Sequence, residues 1–269
     1  PCDMEAIDQL ADEFKLTVVE DAAHAVGARY DGQPVGNRSN VACFSFYANK
    51  NMTTAEGGMM TTADGDLAAR LRVMRLHGLE GHAWKRYLSK EISYSHVVMP
   101  GYKYNMTDLQ ASLGIHQLKR LEEWQNTREV FAALYDQALS HLPGIQLQPR
   151  VIAGTDPGKI RHALHLYVIM LDQRQFSVDR DTFVARLRDK NVGAAIHYPA
   201  LHQHPWFEKI LDYKQGDFPV AEQVAGSILS LPLTPAMNEK EIRYIIDVVE
   251  SLHGDCWNGS SDQSQSTAV

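Results

Sequence analysis

The start of the chain places a helical pattern of apolar positions before an extended apolar run. Residues 3–14 open with Asp3, an acid that can cap a helix, and their apolar side chains recur at helical spacing. Residues 16–20 are rich in β-branched side chains, which favour a buried parallel strand. A helix that feeds such a strand is one unit of a doubly wound α/β sheet. The pattern therefore predicts a helix over 3–14 and a strand over 16–20.

Two further apolar runs flank a polar segment that contains a single lysine, Lys50. Residues 41–47 and 58–62 are the apolar runs, and they predict two strands joined by a tight loop that holds Lys50. Residues 64–76 follow a helical pattern. Residues 77–100 lose all periodicity and contain glycines, histidines and aromatic residues, so they predict a functional surface loop or an interface flap.

The second half of the chain does not continue the alternation of helices and strands seen in the first half, and its pattern predicts a separate domain. Residues 106–142 are expected to form one long helix that bridges two domains and ends before Pro143 and Gly144. The elements expected beyond it are strands over 164–171 and 194–198 and helices over 179–190, 219–228 and 238–252. We therefore expect a large domain with its bridging helix over 1–142, a smaller α+β domain over 143–253, and a disordered polar tail over 254–269.

Lys50 and Asp21 form the most informative polar pair in the sequence. A lysine held between two strands loses its proton more easily when it is desolvated, and the free amine can form a Schiff base. The structural alternative is an exposed loop cation. Asp21 falls at the carboxyl end of a predicted parallel strand, where open α/β sheets bind their ligands. Pyridoxal 5'-phosphate (PLP) requires a lysine and a carboxylate that faces its ring nitrogen, so the pair predicts a PLP site.

Five short segments of the sequence carry a family resemblance. They are residues 20–27 (EDAAHAVG), 44–51 (FSFYANKN), 55–58 (AEGG), 75–78 (RLHG) and 101–108 (GYKYNMTD). In this order they resemble the DegT/DnrJ/StrS family of PLP-dependent nucleotide-sugar aminotransferases. The resemblance extends to about residue 253 and implies an α/β fold type I PLP-dependent transferase, with part of the large doubly wound domain followed by a smaller α+β domain. It also implies that the sequence is incomplete at its N-terminus, where relatives cradle the cofactor phosphate.

The resemblance assigns five positions to the cofactor. Lys50 would be the catalytic lysine, and Asp21 would pair with the pyridine nitrogen. His24 would pack over the cofactor ring, unless it is an ordinary core or surface histidine. Ser45, which strand alternation turns away from its aromatic neighbours, would bind the phosphate. Asn105 would reach the phosphate in the neighbouring subunit, or it would simply cap a helix that begins at residue 106.

Candidate substrate ligands lie in the smaller domain and beside Asn105. His197 and Tyr198 occupy positions where relatives contact the sugar nucleotide, and an imidazole can donate a hydrogen bond to a diphosphate. A purely structural role is an equal alternative for His197. Lys103 is a further candidate for the substrate. The glycines at 57 and 58 and the acid Glu56 are expected to act structurally.

The resemblance implies a reaction as well as a fold. It is the transfer of an amino group from an amino acid, with glutamate as the expected donor, to a keto-sugar of a nucleoside diphosphate. The residues of these motifs are most similar to those of members that act on 4-keto UDP-sugars, of the UDP-4-amino-4-deoxyarabinose type. The resemblance therefore implies a role in the biosynthesis of lipopolysaccharide or another polysaccharide. A shared active site implies a homodimer. Two alternatives stay open: a non-catalytic or truncated family member, and a PLP-dependent keto-sugar dehydratase, although dehydratase relatives replace Lys50 with histidine.

Composition limits the partners and the compartment. The 269 residues carry a net charge of −7 without a basic block, which argues against nucleic acid or an anionic membrane surface as a partner. The three cysteines are scattered, with no CxxC pair and no histidine spacing suited to zinc, so we expect reduced thiols and no metal site. No apolar run approaches the length of a membrane span, and we expect a cytoplasmic protein.

Overall fold

The computed structural model describes residues 1–38, 41–80, 95–151 and 156–259. Contacts divide the chain into two compact units. The first unit comprises Pro1–Glu123 and Val151–His165, and the second comprises Trp124–Arg150 and Leu166–Val269. The first unit ends at Glu123, earlier than the boundary expected at residue 142, and it also includes the later stretch Val151–His165. Most of the irregular region expected over 77–100 lies outside the described residues.

The helices and strands follow the predicted order closely. The helices are α1 (Met4–Phe14), α2 (Gly65–Met74), α3 (Asp108–Leu118), α4 (Leu121–Leu139), α5 (Arg180–Asp189), α6 (Pro205–Leu211), α7 (Pro219–Ser227) and α8 (Glu239–Cys256). The strands are β1 (Val19–Asp21), β2 (Arg29–Tyr30), β3 (Gln33–Pro34), β4 (Val41–Ser45), β5 (Gly58–Thr61), β6 (Ile145–Leu147), β7 (Ile160–Arg161), β8 (Tyr167–Leu171) and β9 (Ile228–Leu231). The helices predicted over 3–14, 64–76, 179–190 and 219–228, and both strands that flank Lys50, are confirmed to within two residues.

The first unit is built on a three-stranded sheet in the order β1-β4-β5. β1 and β4 run parallel with Asp21 in register with Cys43, whereas β4 and β5 run antiparallel with Ser45 opposite Gly58. Aspartate caps begin the flanking helices: Asp3 accepts from the backbone of α1, and Asp64 accepts from the backbone of α2. The parallel β1–β4 pair confirms that the first half of the chain contains an α/β unit.

The prediction that residues 16–20 form a buried strand is wrong in its extent and its burial. Only Val19–Asp21 is extended enough to pair, and the Val19 side chain is 61% exposed. Within the described part of the chain, β1 pairs with β4 alone, so it lies at an edge of the sheet. A strand with one neighbour buries less apolar surface than the sequence pattern of a central strand suggests.

The later stretch Val151–His165 joins the first unit through a second small sheet. Its strand β7 pairs antiparallel with β2, with Arg161 in register with Arg29, and β2 in turn pairs with β3. Lys159 O accepts a hydrogen bond from Gly32 N at 3.3 Å beside this sheet. The return of residues 151–165 therefore rests on backbone pairing, which no local sequence pattern indicated.

The single long helix predicted over 106–142 is wrong. Two helices, α3 and α4, occupy this stretch, and Lys119 and Arg120 separate them. The chain forms a tight turn at the end of α3, where Arg120 N donates to Gln117 O. The Gln117 side chain also bonds the backbone of Thr53: its Nε2 donates to Thr53 O at 2.6 Å, and its Oε1 accepts from Thr53 N at 3.0 Å. The apolar side chains of Leu109, Leu113 and Leu118 on α3 are exposed.

The second unit is an α+β arrangement around the antiparallel sheet β6-β8-β9. Side chains from α5 and α8 bury themselves beside this sheet. The fully buried helix side chains include Phe183, Leu187, Ile242 and Val249, and Leu229 of β9 is fully buried as well. The strand predicted over 194–198 is reduced to an isolated bridge between Ala195 and Ser230.

The polar tail predicted over 254–269 begins too early. Helix α8 continues to Cys256, whose side chain is fully buried, and Trp257 forms a bridge with Phe176. Asn258 N also donates to Gln175 O at 2.9 Å. Residues 254–258 are therefore ordered by contacts within the second unit, and residues 260–269 lie outside the described residues.

The core of the second unit generates a stability prediction. Leu187 on α5 is completely buried, whereas Leu211 on α6 is 48% exposed. We expect Leu187→Ala to lower the free energy of unfolding by about 2–5 kcal/mol, because it removes buried apolar surface and leaves a cavity. Leu211→Ala is the matched control and should cost less than about 1 kcal/mol. Urea unfolding followed by circular dichroism measures both, and equal losses would contradict the described core.

Candidate active site

Backbone hydrogen bonds hold the loop that carries Lys50. Phe46 N donates to Gly57 O at 2.8 Å across the base of the loop, and Thr54 N donates to Phe46 O at 2.9 Å. Thr53 Oγ1 also donates to Phe46 O at 3.1 Å. Lys50 N donates to Tyr47 O at 3.0 Å and forms a tight turn. The lysine therefore lies on an ordered loop between β4 and β5, as the sequence predicts.

Glycine and Glu56 serve this loop through the backbone. A Cβ atom on Gly57 would overlap the hydroxyl of the buried Thr54, and a Cβ on Gly58 would lie 2.8 Å from Phe44 O. The carbonyl of Glu56 accepts from Thr54 Oγ1 and from Gln110 Nε2, each at 2.8 Å. These contacts support the structural roles expected for the two glycines and Glu56.

Asp21 and Ser45 share one face of the first-unit sheet. Because Asp21 is in register with Cys43, and Ser45 is two residues beyond Cys43 on β4, the three side chains point to the same side. Phe44 and Phe46 pack together in an apolar cluster on the opposite side. Asp21 and Ser45 therefore lie on one face at the carboxyl ends of two parallel strands, the position at which α/β sheets bind ligands.

Two opposing effects act on the pKa of the Lys50 amine at this edge of the sheet. Burial lowers the pKa of the half-buried Lys50 amine, and the Asp21 carboxylate offsets part of that effect. The Asp21 carboxylate also accepts a hydrogen bond from Ala23 N at 3.1 Å, which fixes its Oδ1 atom. The structure thus places the Lys50 amine close enough to the Asp21 carboxylate to interact with it, and places the Ser45 hydroxyl on the same face of the sheet as that carboxylate.

Two residues that the sequence reasoning did not assign lie beside this group. The His24 ring contacts the ring of His165, with centroids 4.2 Å apart. His165 Nδ1 lies 3.3 Å from Oδ1 of Asn51, the residue that follows Lys50. Asn51 stood inside a family motif directly after Lys50, and that position was the signal available in the sequence. His165 lies too far along the chain for any local pattern to connect it with His24.

Lys103 and Asn105 lie on a segment that pairs with the end of α2. Lys103 forms a bridge with Leu76, and Tyr102 N donates to Met74 O at 2.7 Å. In the described residues, neither side chain is brought into hydrogen bonding with Lys50. The alternative that Asn105 caps a helix is wrong, because Thr107 is the N-cap of α3 and forms a capping box with Gln110.

His197 and Tyr198 belong to the second unit. His197 Nδ1 lies 2.9 Å from Ser230 Oγ on β9. The rings of His197 and Tyr198 contact each other edge to face. Tyr198 is exposed. The nearby His202 is instead buried, and its Nε2 donates to Glu222 Oε1 at 2.8 Å. His202 is thus a structural histidine, whereas Tyr198 and the anchored His197 stay candidates for binding a ligand.

The described ranges contain neither a membrane-spanning helix nor a metal-binding cluster. No helix there has both the length and the low charge needed to cross a bilayer. Within the same ranges, no three histidine, cysteine, aspartate or glutamate side chains are grouped to hold a metal ion.

Comparison with known proteins supplies the family. A family model described as the DegT/DnrJ/EryC1/StrS aminotransferase family matches residues 1–250. The chain belongs to this family. The spore coat polysaccharide biosynthesis protein SpsC of Bacillus subtilis is 44% identical to it over 252 residues, which are 93% of this chain and 63% of SpsC. The family is one of PLP-dependent sugar aminotransferases.

Solved structures of family members share the fold. DesV of S. venezuelae, in complex with a ketimine intermediate, matches with a TM-score of 0.81 and 32% identity over 94% of this chain and 62% of DesV. PseC of Helicobacter pylori, an aminotransferase of pseudoaminic acid biosynthesis, matches with a TM-score of 0.83 and 25% identity over 95% of this chain and 64% of PseC. The fold is therefore that of the fold type I PLP aminotransferases, and the chain spans less than two thirds of these relatives.

The donor set fits the cofactor that the family uses. PLP needs a lysine that can lose its proton, a carboxylate for its ring nitrogen and donors for its phosphate. Lys50 has a lowered pKa, Asp21 is an exposed carboxylate, and Ser45 places a hydroxyl on the same face. These are residues of the type that PLP requires.

The pKa of Lys50 generates a direct prediction. In the cofactor-free protein, we expect Lys50 to react with an amine-selective reagent at a lower pH midpoint than the exposed Lys209 and Lys240, because burial favours its neutral form. Asp21→Asn should move the Lys50 midpoint lower still, since it removes the charge that holds the proton. Peptide mass mapping across a pH series measures each midpoint.

Glu20→Gln is the matched control for this experiment. Glu20 precedes Asp21 on β1, and alternation turns it to the opposite face. We expect Glu20→Gln to leave the midpoint of Lys50 unchanged. A Lys50 midpoint equal to those of the exposed lysines, or an equal response to both substitutions, would contradict the described surroundings of Lys50.

Proposed function

We propose that the complete protein is an aminotransferase that uses PLP to move an amino group from glutamate to a keto-sugar of a nucleoside diphosphate. The observation that carries this proposal is the half-buried Lys50, with its lowered pKa, beside Asp21 at the carboxyl ends of two parallel strands. Family membership supports the reaction class. The residues of the five family motifs favour a 4-keto UDP-sugar of the UDP-4-amino-4-deoxyarabinose type as the acceptor.

The side chains divide the work of this reaction. PLP, when bound, supplies an electron sink that stabilises negative charge on the substrate carbon. Asp21 would hold positive charge on the ring nitrogen, Ser45 Oγ would donate to the phosphate, and His24 would pack against the ring. Lys50 Nζ would hold the cofactor through its carbonyl carbon and, when free, would accept and return the proton at the substrate carbon.

His197 and Tyr198 in the second unit are the proposed contacts to the sugar nucleotide, and Ser230 fixes the orientation of the His197 ring. Lys103, in the first unit, is a further candidate for binding the substrate. Asn105 reaches the phosphate site of a second copy of the chain, so that the working enzyme is a homodimer. The names of two relatives, in spore coat polysaccharide and pseudoaminic acid biosynthesis, support a role in making a surface polysaccharide such as lipopolysaccharide.

A second candidate is a non-catalytic family member that does not hold the cofactor. The observation in its favour is that β1, on which Asp21 lies, is an exposed edge strand in the described part of the chain. A keto-sugar dehydratase is less well supported, since its relatives lack the lysine that this chain has at position 50.

Capture of the cofactor separates these candidates. The purified protein is titrated with PLP, reduced with borohydride and mapped by peptide mass. We expect a pyridoxyl adduct on Lys50, and glutamate added before reduction should convert the bound cofactor to its amine form and prevent the adduct. Lys50→Arg should retain the fold, lose the adduct and lower kcat by about 10²-fold to 10⁴-fold, because the proton transfer loses its base.

Lys119→Arg is the matched control, since Lys119 is an exposed lysine of the same unit. It should retain both the adduct and the activity. The absence of an adduct from the protein extended to the full length of its relatives would overturn the enzyme hypothesis. An adduct in the extended protein that is missing from the present chain would show that the added residues complete the site.

The role of His197 predicts a kinetic asymmetry. Because the two half-reactions use different substrates, we expect His197→Gln to raise KM for the sugar nucleotide about tenfold, through loss of a hydrogen bond to a charged group, and to leave KM for glutamate unchanged. His204→Gln alters an exposed histidine in the same stretch and serves as the control. Steady-state kinetics with each substrate varied in turn measures both constants, and equal changes in the two would contradict the assignment.

A further inference from the structure

Asn51 fastens the lysine loop to a distant part of the first unit. The residue is 8% exposed, and its Nδ2 donates to Ala163 O at 2.6 Å and to Val26 O at 3.3 Å. Its Oδ1 lies 3.3 Å from His165 Nδ1, which acts as the donor because a carbonyl oxygen only accepts. A buried amide that uses both its nitrogen and its oxygen fixes the groups around it.

The backbone that carries His165 is held in an unusual conformation. Leu164, between Ala163 and His165, is buried and adopts a φ of 49°, which non-glycine residues rarely populate. Leu164 N donates to His162 Nδ1 at 2.9 Å and stabilises the turn. Such a conformation persists only where the surroundings determine it, and here it directs His165 toward Asn51.

The ring of His165 is in turn the neighbour of His24. The two ring centroids are 4.2 Å apart and the planes are inclined by 54°. His24 is exposed and lies in the turn that follows Asp21 on β1. A ring contact on one side restricts the rotamers of an otherwise exposed imidazole. One chain of contacts therefore runs from the residue beside Lys50, through His165, to the imidazole beside Asp21.

We propose that His165 is a positioning residue, which Asn51 holds in place and which orients the His24 imidazole against the cofactor ring. The proposal rests on the proposed function, because it assigns His165 a role toward bound PLP. His165 acts through His24 and touches neither substrate nor cofactor. Its contribution is to set the position of His24 relative to the Lys50 loop, since Asn51 belongs to that loop.

Two replacements separate the ring of His165 from its hydrogen bond. His165→Phe keeps an aromatic ring for His24 but gives no donor to Asn51, whereas His165→Gln keeps a donor and removes the ring. We expect His165→Gln to weaken PLP binding about 2-fold to 10-fold, which is the range of an aromatic pair contact. His165→Phe should recover part of this loss. His116→Gln, which alters an exposed histidine on α3 of the same unit, is the control and should leave the affinity unchanged, provided that circular dichroism shows the fold retained.

A double substitution distinguishes positioning from general support. If His165 acts through His24, then adding His165→Gln to His24→Gln should weaken PLP binding no further. In the cofactor-free protein with ¹³C-labelled histidine rings, His165→Gln should shift the His24 ring signals, assigned from the His24→Gln variant, and His116→Gln should not. Unchanged His24 signals, or an equal loss of affinity with and without His24, would overturn the proposal.

The outcomes also separate this proposal from the proposed function. Failure of the unaltered full-length protein to form an adduct on Lys50 would refute the aminotransferase and with it any role of His165 toward the cofactor. The His24 signals of the cofactor-free protein would still report whether the two rings are coupled. Normal cofactor binding with no coupling between residues 24 and 165 would refute the positioning role alone.

Discussion

The parallel pairing of β1 with β4 is the constraint on which the candidate site depends. It sets Asp21 opposite Cys43 and so places the carboxylate on the face of Ser45, at the strand ends that lead into the Lys50 loop. Side chains alternate along a strand, so a slip of one residue would turn Asp21 to the other face and present Glu20 in its place. The longer side chain would put its charge at a different distance from Lys50. A single backbone register therefore decides which acid shares the site with the lysine.

What the sequence predicted well was local. Aspartates at the starts of α2 and α5 bond the first backbone amides of those helices, and caps of this kind are encoded within four residues. The two strands around Lys50 followed from apolar runs that meet a polar turn, which is also a short-range signal. Asp21, Ser45 and Lys50 could be grouped for the same reason, because strand ends and alternation place them without knowledge of the remaining chain.

What the sequence did not reveal depends on contacts between distant residues. The break between α3 and α4 has neither proline nor glycine, and it coincides with a Gln117 side chain that bonds the Thr53 backbone, 64 positions away. Asn51 bonds Ala163 across 112 positions, and this contact belongs to the stretch that returns to the first unit. Periodicity and caps carry no information about such pairs. The lysine loop is thus fixed by partners that only the folded chain brings to it.

Two opposing effects set the pKa of Lys50, and one of them, the charge of Asp21, would change when the cofactor binds. Burial favours the neutral amine, whereas the free Asp21 carboxylate favours the ammonium form. Under the proposed function, Asp21 pairs with a protonated ring nitrogen when the cofactor binds. The charge that stabilised the lysine proton would then be largely neutralised, and burial, already the larger of the two effects, would meet less opposition. Cofactor binding and deprotonation of Lys50 are therefore coupled in the favourable direction, since the same carboxylate that holds the ring also stops holding the proton.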